Sequence, residues 1–97
     1  MKTLLMILGL SALLSAADGA ALYKKCASCH GANAEKQALG KSRVINTLSK
    51  EEIVTALKGY KAGTYGGPMK ALMKGQIASY SDEQITSVAA YIASMKQ

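Results

Sequence analysis

Apolar residues recur at three- and four-residue intervals in four stretches of the chain, and nowhere do they alternate with the period of two that a strand requires. The first stretch runs from Asp18, the expected N-cap, through Ala20, Ala21, Leu22 and Tyr23 and delivers Cys26 near its C-terminal end. The second opens at Ser49, with Glu52 three residues on in a capping box. It carries Ile53, Val54, Ala56 and Leu57 before an expected end near Gly59-Tyr60. Pro68 fits the first position of a third, short helix through Met69, Lys70, Ala71 and Leu72, which Gly75 is placed to stop. Ser81 and Gln84 form a second capping box ahead of Ile85, Val88, Ala89 and Ile92, predicting an amphipathic helix to about Met95 that packs on the first. Residues 31–48, punctuated by Asn33, Gly40, Ser42 and Asn46, read as a long loop, and residues 61–68 as a glycine-rich turn. The pattern predicts an all-α fold of short helices.

The N-terminus has a different character. Met1-Lys2-Thr3 is followed by an apolar run from Leu4 to Leu14 and then by the small residues Ser15, Ala16 and Ala17. This is the layout of a cleavable secretory signal over residues 1–16, with cleavage after Ala16 or Ala17 and a mature domain over residues 17–97. The run is shorter than the roughly 20 apolar residues of a spanning helix, which leaves an uncleaved anchor as the alternative.

Composition adds a constraint. Without the signal about 80 residues remain, with no Trp, no Phe and five Tyr, so a single domain of this size needs something beyond its own core. The net charge of +6 becomes +5 when Lys2 leaves with the signal. The lysines are scattered through every segment and the chain is read as exported, which argues against nucleic acid. An acidic docking face on a protein partner is the better-motivated target.

The chemistry sits in Cys26-Ala27-Ser28-Cys29-His30, the C-x-x-C-H pattern of c-type haem attachment. Each thiol adds to one haem vinyl group, the two-residue spacer spans the distance between the vinyls, and the following histidine is placed to ligate the iron. A thioredoxin-like dithiol needs a βαβ setting that is missing here, and a structural zinc site needs four ligands where the chain offers two Cys and one His. One covalently attached haem c per chain is therefore expected, and it supplies the apolar surface that the small domain lacks.

His30 is the single histidine, so a second imidazole from the same chain is excluded as the other axial ligand. Methionine remains. Met6 leaves with the signal, and Met95, at the end of the last helix, reads as packing. Met69 and Met73 are four residues apart and share a face if one helix carries both. Met73 is favoured because it stands just before Lys74-Gly75, where a helix stop frees the backbone. Tyr60 and Tyr65, in or beside the glycine-rich turn, are placed to hydrogen-bond a haem propionate, although the five tyrosines read first as packing residues in place of Phe.

At this level the chain resembles a small bacterial class I cytochrome c of the c-553 type. The resemblance rests on Asp18-Gly19-Ala20-Ala21-Leu22-Tyr23-Lys24 leading into Cys26-Ala27-Ser28-Cys29-His30-Gly31-Ala32, on Lys58-Gly59-Tyr60, on Gly63-Thr64-Tyr65-Gly66-Gly67 and on Lys70-Ala71-Leu72-Met73. It implies Met73 as the distal ligand, a first and last helix that cross near the haem, and electron transfer rather than enzymatic turnover. The export signal, with haem joined to the motif after translocation, places the protein in the periplasm, and a monomeric carrier of the respiratory chain is expected. The expected donor is a quinol-cytochrome c oxidoreductase or a dehydrogenase, and the expected acceptor a terminal oxidase or peroxidase. A five-coordinate haem enzyme, a gas-binding protein and a membrane-tethered carrier are the alternatives. Among the cations, Lys24, Lys25, Lys70 and Lys74 are expected near the exposed haem edge, and Lys36, Lys41 and Arg43 elsewhere.

Overall fold

A computed structural model describes residues 18–40, 42–68 and 70–96. The expected signal over residues 1–16 lies outside the described residues, as do Lys41 and Met69. The described residues form four α-helices with no strand: α1 over residues 18–30, α2 Lys50–Ala62, α3 Lys70–Ile77 and α4 Asp82–Ser94. Single turns of 3-10 helix at Ala38–Gly40 and Ile45–Thr47 interrupt the segment between α1 and α2.

Both capping boxes form as the sequence dictates. The Glu52 amide donates to Ser49 Oγ at 3.1 Å and the Ser49 amide to Glu52 Oε1 at 2.9 Å, and Ser81 and Gln84 repeat the pair at the head of α4. Other boundaries differ from the expectation. Asp18 is already helical rather than the cap, and α1 continues through the whole attachment motif to His30. The second helix passes Gly59-Tyr60 and ends at Ala62, where Gly63, at φ 82°, donates its amide to the carbonyls of Gly59 and Tyr60. The third helix starts at Lys70 instead of Pro68 and runs through Gly75. The reason lies two residues beyond: Ile77 is 2 % exposed, and burying it outweighs the roughly 1 kcal/mol that a helical glycine costs.

The expected crossing of the first and last helices is present, and it depends on Gly19. A Cβ there would lie 2.6 Å from the Ser87 carbonyl oxygen and 2.9 Å from Tyr91 Cβ, so only glycine lets the two backbones approach this closely. One turn on, the Tyr23 and Tyr91 rings pack with centroids 5.7 Å apart. The second helix packs against α3 and α4, and Ile53, Leu57, Ile77, Ile85, Val88 and Ile92 meet in a shared core.

The segment after α1 is more ordered than its polar composition implies. The Tyr23 hydroxyl donates to the Gly31 carbonyl at 2.6 Å, the Asn46 amide to the Ala34 carbonyl at 3.1 Å, and Asn46 Nδ2 to the Asn33 carbonyl at 3.0 Å. The buried Asn46 thereby stitches residues 33–34 to the second 3-10 turn, and both flank the end of the attachment helix.

Candidate haem site

Because the motif is helical throughout, its side chains follow helical geometry. Cys26, Cys29 and His30 stand at i, i+3 and i+4, which places all three on one face of α1. That face borders an apolar cleft of about 1390 Å³, measured to include its mouth open to solvent. The floor comes from Leu48, Ile53 and Leu57 on one side of the chain and from Ile77, Val88 and Ile92 on the other. Met73 joins the lining from α3 and is half-buried against the core.

Both cysteines are free thiols; Cys26 is half-buried and Cys29 exposed. Burial pushes the Cys26 thiol up, with the Lys25 ammonium pulling it down and Cys29 pushing it up. His30 is 5 % exposed, and burial holds its imidazole below the ordinary histidine value, so the ring is neutral and keeps a lone pair for a metal. Its Nδ1 is enclosed without a hydrogen-bond partner among the described residues, an arrangement that costs free energy unless the ring has another role.

The cleft wall carries three cations, Lys25, Arg43 and Lys70, and no carboxylate. Two thiols, a neutral buried imidazole, a thioether and an apolar slot rimmed by positive charge fit a haem, whose flat apolar body ends in two anionic propionates. When bound, such a group supplies an iron that alternates between ferric and ferrous states.

Similarity to known proteins bears on this fit. The family model described as cytochrome c matches residues 16–96. The chain belongs to the cytochrome c family. It is 40 % identical to cytochrome c-553 of Nitratidesulfovibrio vulgaris (strain Miyazaki F) over 102 residues, covering 98 % of this chain and all of that one. It is 42 % identical to cytochrome c-553 of Helicobacter pylori (strain 26695) over 99 residues, covering 99 % of this chain and all of its relative. A cytochrome c-554(547) of Halothiobacillus neapolitanus is 38 % identical over 90 residues, with 84 % of this chain and 97 % of the relative aligned. This cytochrome is thus a small class I c-type electron carrier with one covalently attached haem c, and not an enzyme.

The structure also sorts the charged residues of this cytochrome. Lys25 and Lys70 line the cleft as expected, whereas Lys24 is exposed away from it. Lys74 turns back to the end of α2, its Nζ 3.3 Å from where a Gly63 Cβ would stand, and so places its charge at that helix's negative pole. Arg43, expected elsewhere, lines the cleft, because the turn at Ile45–Thr47 folds residues 42–45 back over the core. Tyr80 was not singled out by the sequence as a site residue. It lines the cleft, and no local pattern signals that a residue just after α3 reaches back to α1.

Proposed function

We propose that this cytochrome is an exported, periplasmic one-electron shuttle whose haem is attached through Cys26 and Cys29 and ligated axially by His30 and Met73. The observation that carries the reading is that a single apolar cleft gathers the two thiols, the neutral buried imidazole and one thioether. Two protein ligands leave the iron no open coordination site, which favours electron transfer over substrate chemistry. A thioether and an apolar surrounding both favour ferrous iron, raising the potential. None of the described helices is long and apolar enough to cross a membrane.

Respiratory partners with acidic docking faces fit the cations at the cleft mouth. An approaching protein meets Lys25, Arg43 and Lys70 together with Tyr65 and Leu72, which are 39 % and 44 % exposed. A visible spectrum and redox titration of the purified holo-protein test the ligand set. The expected result is a low-spin six-coordinate haem that binds carbon monoxide only slowly when reduced. Rapid carbon monoxide binding at neutral pH would instead identify a five-coordinate haem enzyme or gas-binding protein.

A further inference from the structure

The third helix is held more sparingly than its neighbours. It runs over the eight residues Lys70–Ile77 and packs against α2. Ile77 is its one buried residue, Met73 is half-buried against the core, and Leu72 is 44 % exposed. Lys70, Met73, Lys74 and Ile77 fall at i, i+3, i+4 and i+7, so a single stripe of the helix carries the proposed thioether ligand, the buried anchor and two cations. One buried side chain at the C-terminal end is a weak hold on the turn that bears Met73.

Lys74 adds a second point of attachment. Its Nζ stands 3.3 Å from the place a Gly63 Cβ would take, and Gly63, at φ 82°, is the residue that ends α2. The amides of Gly63 and Thr64 satisfy the carbonyls of Gly59 and Tyr60, whereas no backbone amide among the described residues reaches the last two helical carbonyls, those of Lys61 and Ala62. These open carbonyls form the negative pole of α2. Lys61, the basic residue of the last turn, is committed elsewhere, because its ammonium donates to the Tyr80 carbonyl. The cation at the pole therefore comes from α3, and the missing side chain at Gly63 leaves it room to approach.

We propose that this contact is a latch: the Lys74 ammonium at the C-terminal pole of α2 holds the Met73 helix closed against the cleft, which makes Lys74 a positioning residue for the distal iron ligand. The proposal rests on the ligation by Met73 proposed above and goes beyond it. Met73 and Lys74 are consecutive, so a swing of their turn away from the cleft draws the ammonium off the pole. Opening exposes the iron to added ligands, and the latch opposes it. Because Lys74 is exposed, salt screens the attraction and loosens the latch.

The test measures the affinity of the ferric holo-protein for imidazole, which must displace the thioether, by the loss of the thioether charge-transfer band. Wild type is compared with Lys74→Gln, with the charge-preserving Lys74→Arg, and with Lys36→Gln as a control for net charge. At low salt Lys74→Gln is expected to bind imidazole about twofold to fivefold more tightly than wild type, the ratio that a charge at a helix terminus supports. Lys74→Arg and Lys36→Gln are expected to match wild type. Added salt is expected to raise the wild-type affinity towards that of Lys74→Gln and to leave the variant nearly unchanged. A Lys74→Gln variant that overlays wild type, an equal gain in Lys36→Gln, or a gain that persists in Lys74→Arg would overturn the latch alone. A wild-type thioether band that survives in Met73→Ala would overturn the ligation by Met73 and the latch with it.

Discussion

The Tyr80 hydroxyl donates to the Leu22 carbonyl at 2.6 Å across a separation of 58 positions. Leu22 lies one helical turn ahead of Cys26, and Tyr80 follows the helix that carries Met73, so this bond ties the attachment segment to the proposed distal-ligand segment. Lys61 donates to the Tyr80 carbonyl, and the Lys25 ammonium sits 4.5 Å over the Tyr80 ring. Tyr80→Phe keeps the ring and the cation–π contact but removes the bond. The expected loss is about 1 kcal/mol of holo-protein stability in denaturant unfolding, with the thioether signature of the ferric spectrum lost earlier in the titration than in wild type.

Met73→Ala should abolish the weak ferric charge-transfer band of iron–thioether ligation and open the iron to added ligands. Met69→Ala should leave both unchanged. Spectra of the two ferric variants, with and without added imidazole, decide the matter: the opposite pattern would transfer the distal role to Met69.

Gly75 is an interior helical residue with open space where a Cβ would stand, and its φ is not among the positive values. Gly75→Ala should therefore stabilise the protein by about 0.5–1 kcal/mol, while the ferric spectrum stays as in wild type. If Gly75 ended the helix in a left-handed conformation, the same change would destabilise, so chemical denaturation distinguishes the two.

Burial pushes the Tyr23 phenol up to about 12, with Cys26 and Glu35 adding to the rise. A value raised above the ordinary 10.0 means that the folded state favours the neutral phenol. The stabilisation is complete below the unfolded value and disappears as pH rises from there through the folded one. Wild type should accordingly lose stability in that alkaline window. Tyr23→Phe should be weaker by about 1 kcal/mol at neutral pH, because the Gly31 carbonyl loses its donor, and should show a flatter alkaline profile in denaturation curves.

Reversing Lys25 and Arg43 to Glu should slow oxidation of the ferrous protein by the polyanion ferricyanide at low salt much more than reversing Lys36 and Lys58, which do not line the cleft. The gap should close as salt rises, since the Debye length is only about 8 Å at physiological ionic strength. Stopped-flow rates over a salt series provide the measurement, and equal slowing by both pairs would mean that net charge governs the encounter.

The local features were legible in the sequence because each is complete within a few residues. Both capping boxes need only a Ser and a Glu or Gln three positions on, and the C-x-x-C-H spacing carries its haem chemistry wherever the helix lies. The all-helical class followed from periodicity, and the pairing of the first and last helices from an amphipathic face that needed a partner. Helix ends and side-chain destinations did not follow. Gly75 reads as a stop until Ile77 finds a core to enter, and the helix-stop argument for Met73 fails with it although Met73 still reaches the cleft. Arg43 reads as a remote loop charge until the turn at Ile45–Thr47 folds it over the core, and Lys74 as a cation of the haem edge until α2 presents its C-terminus. In each case the deciding energy is a contact between residues far apart along the chain, worth as much as or more than the local propensity it overrides, and such contacts exist only once the helices have packed.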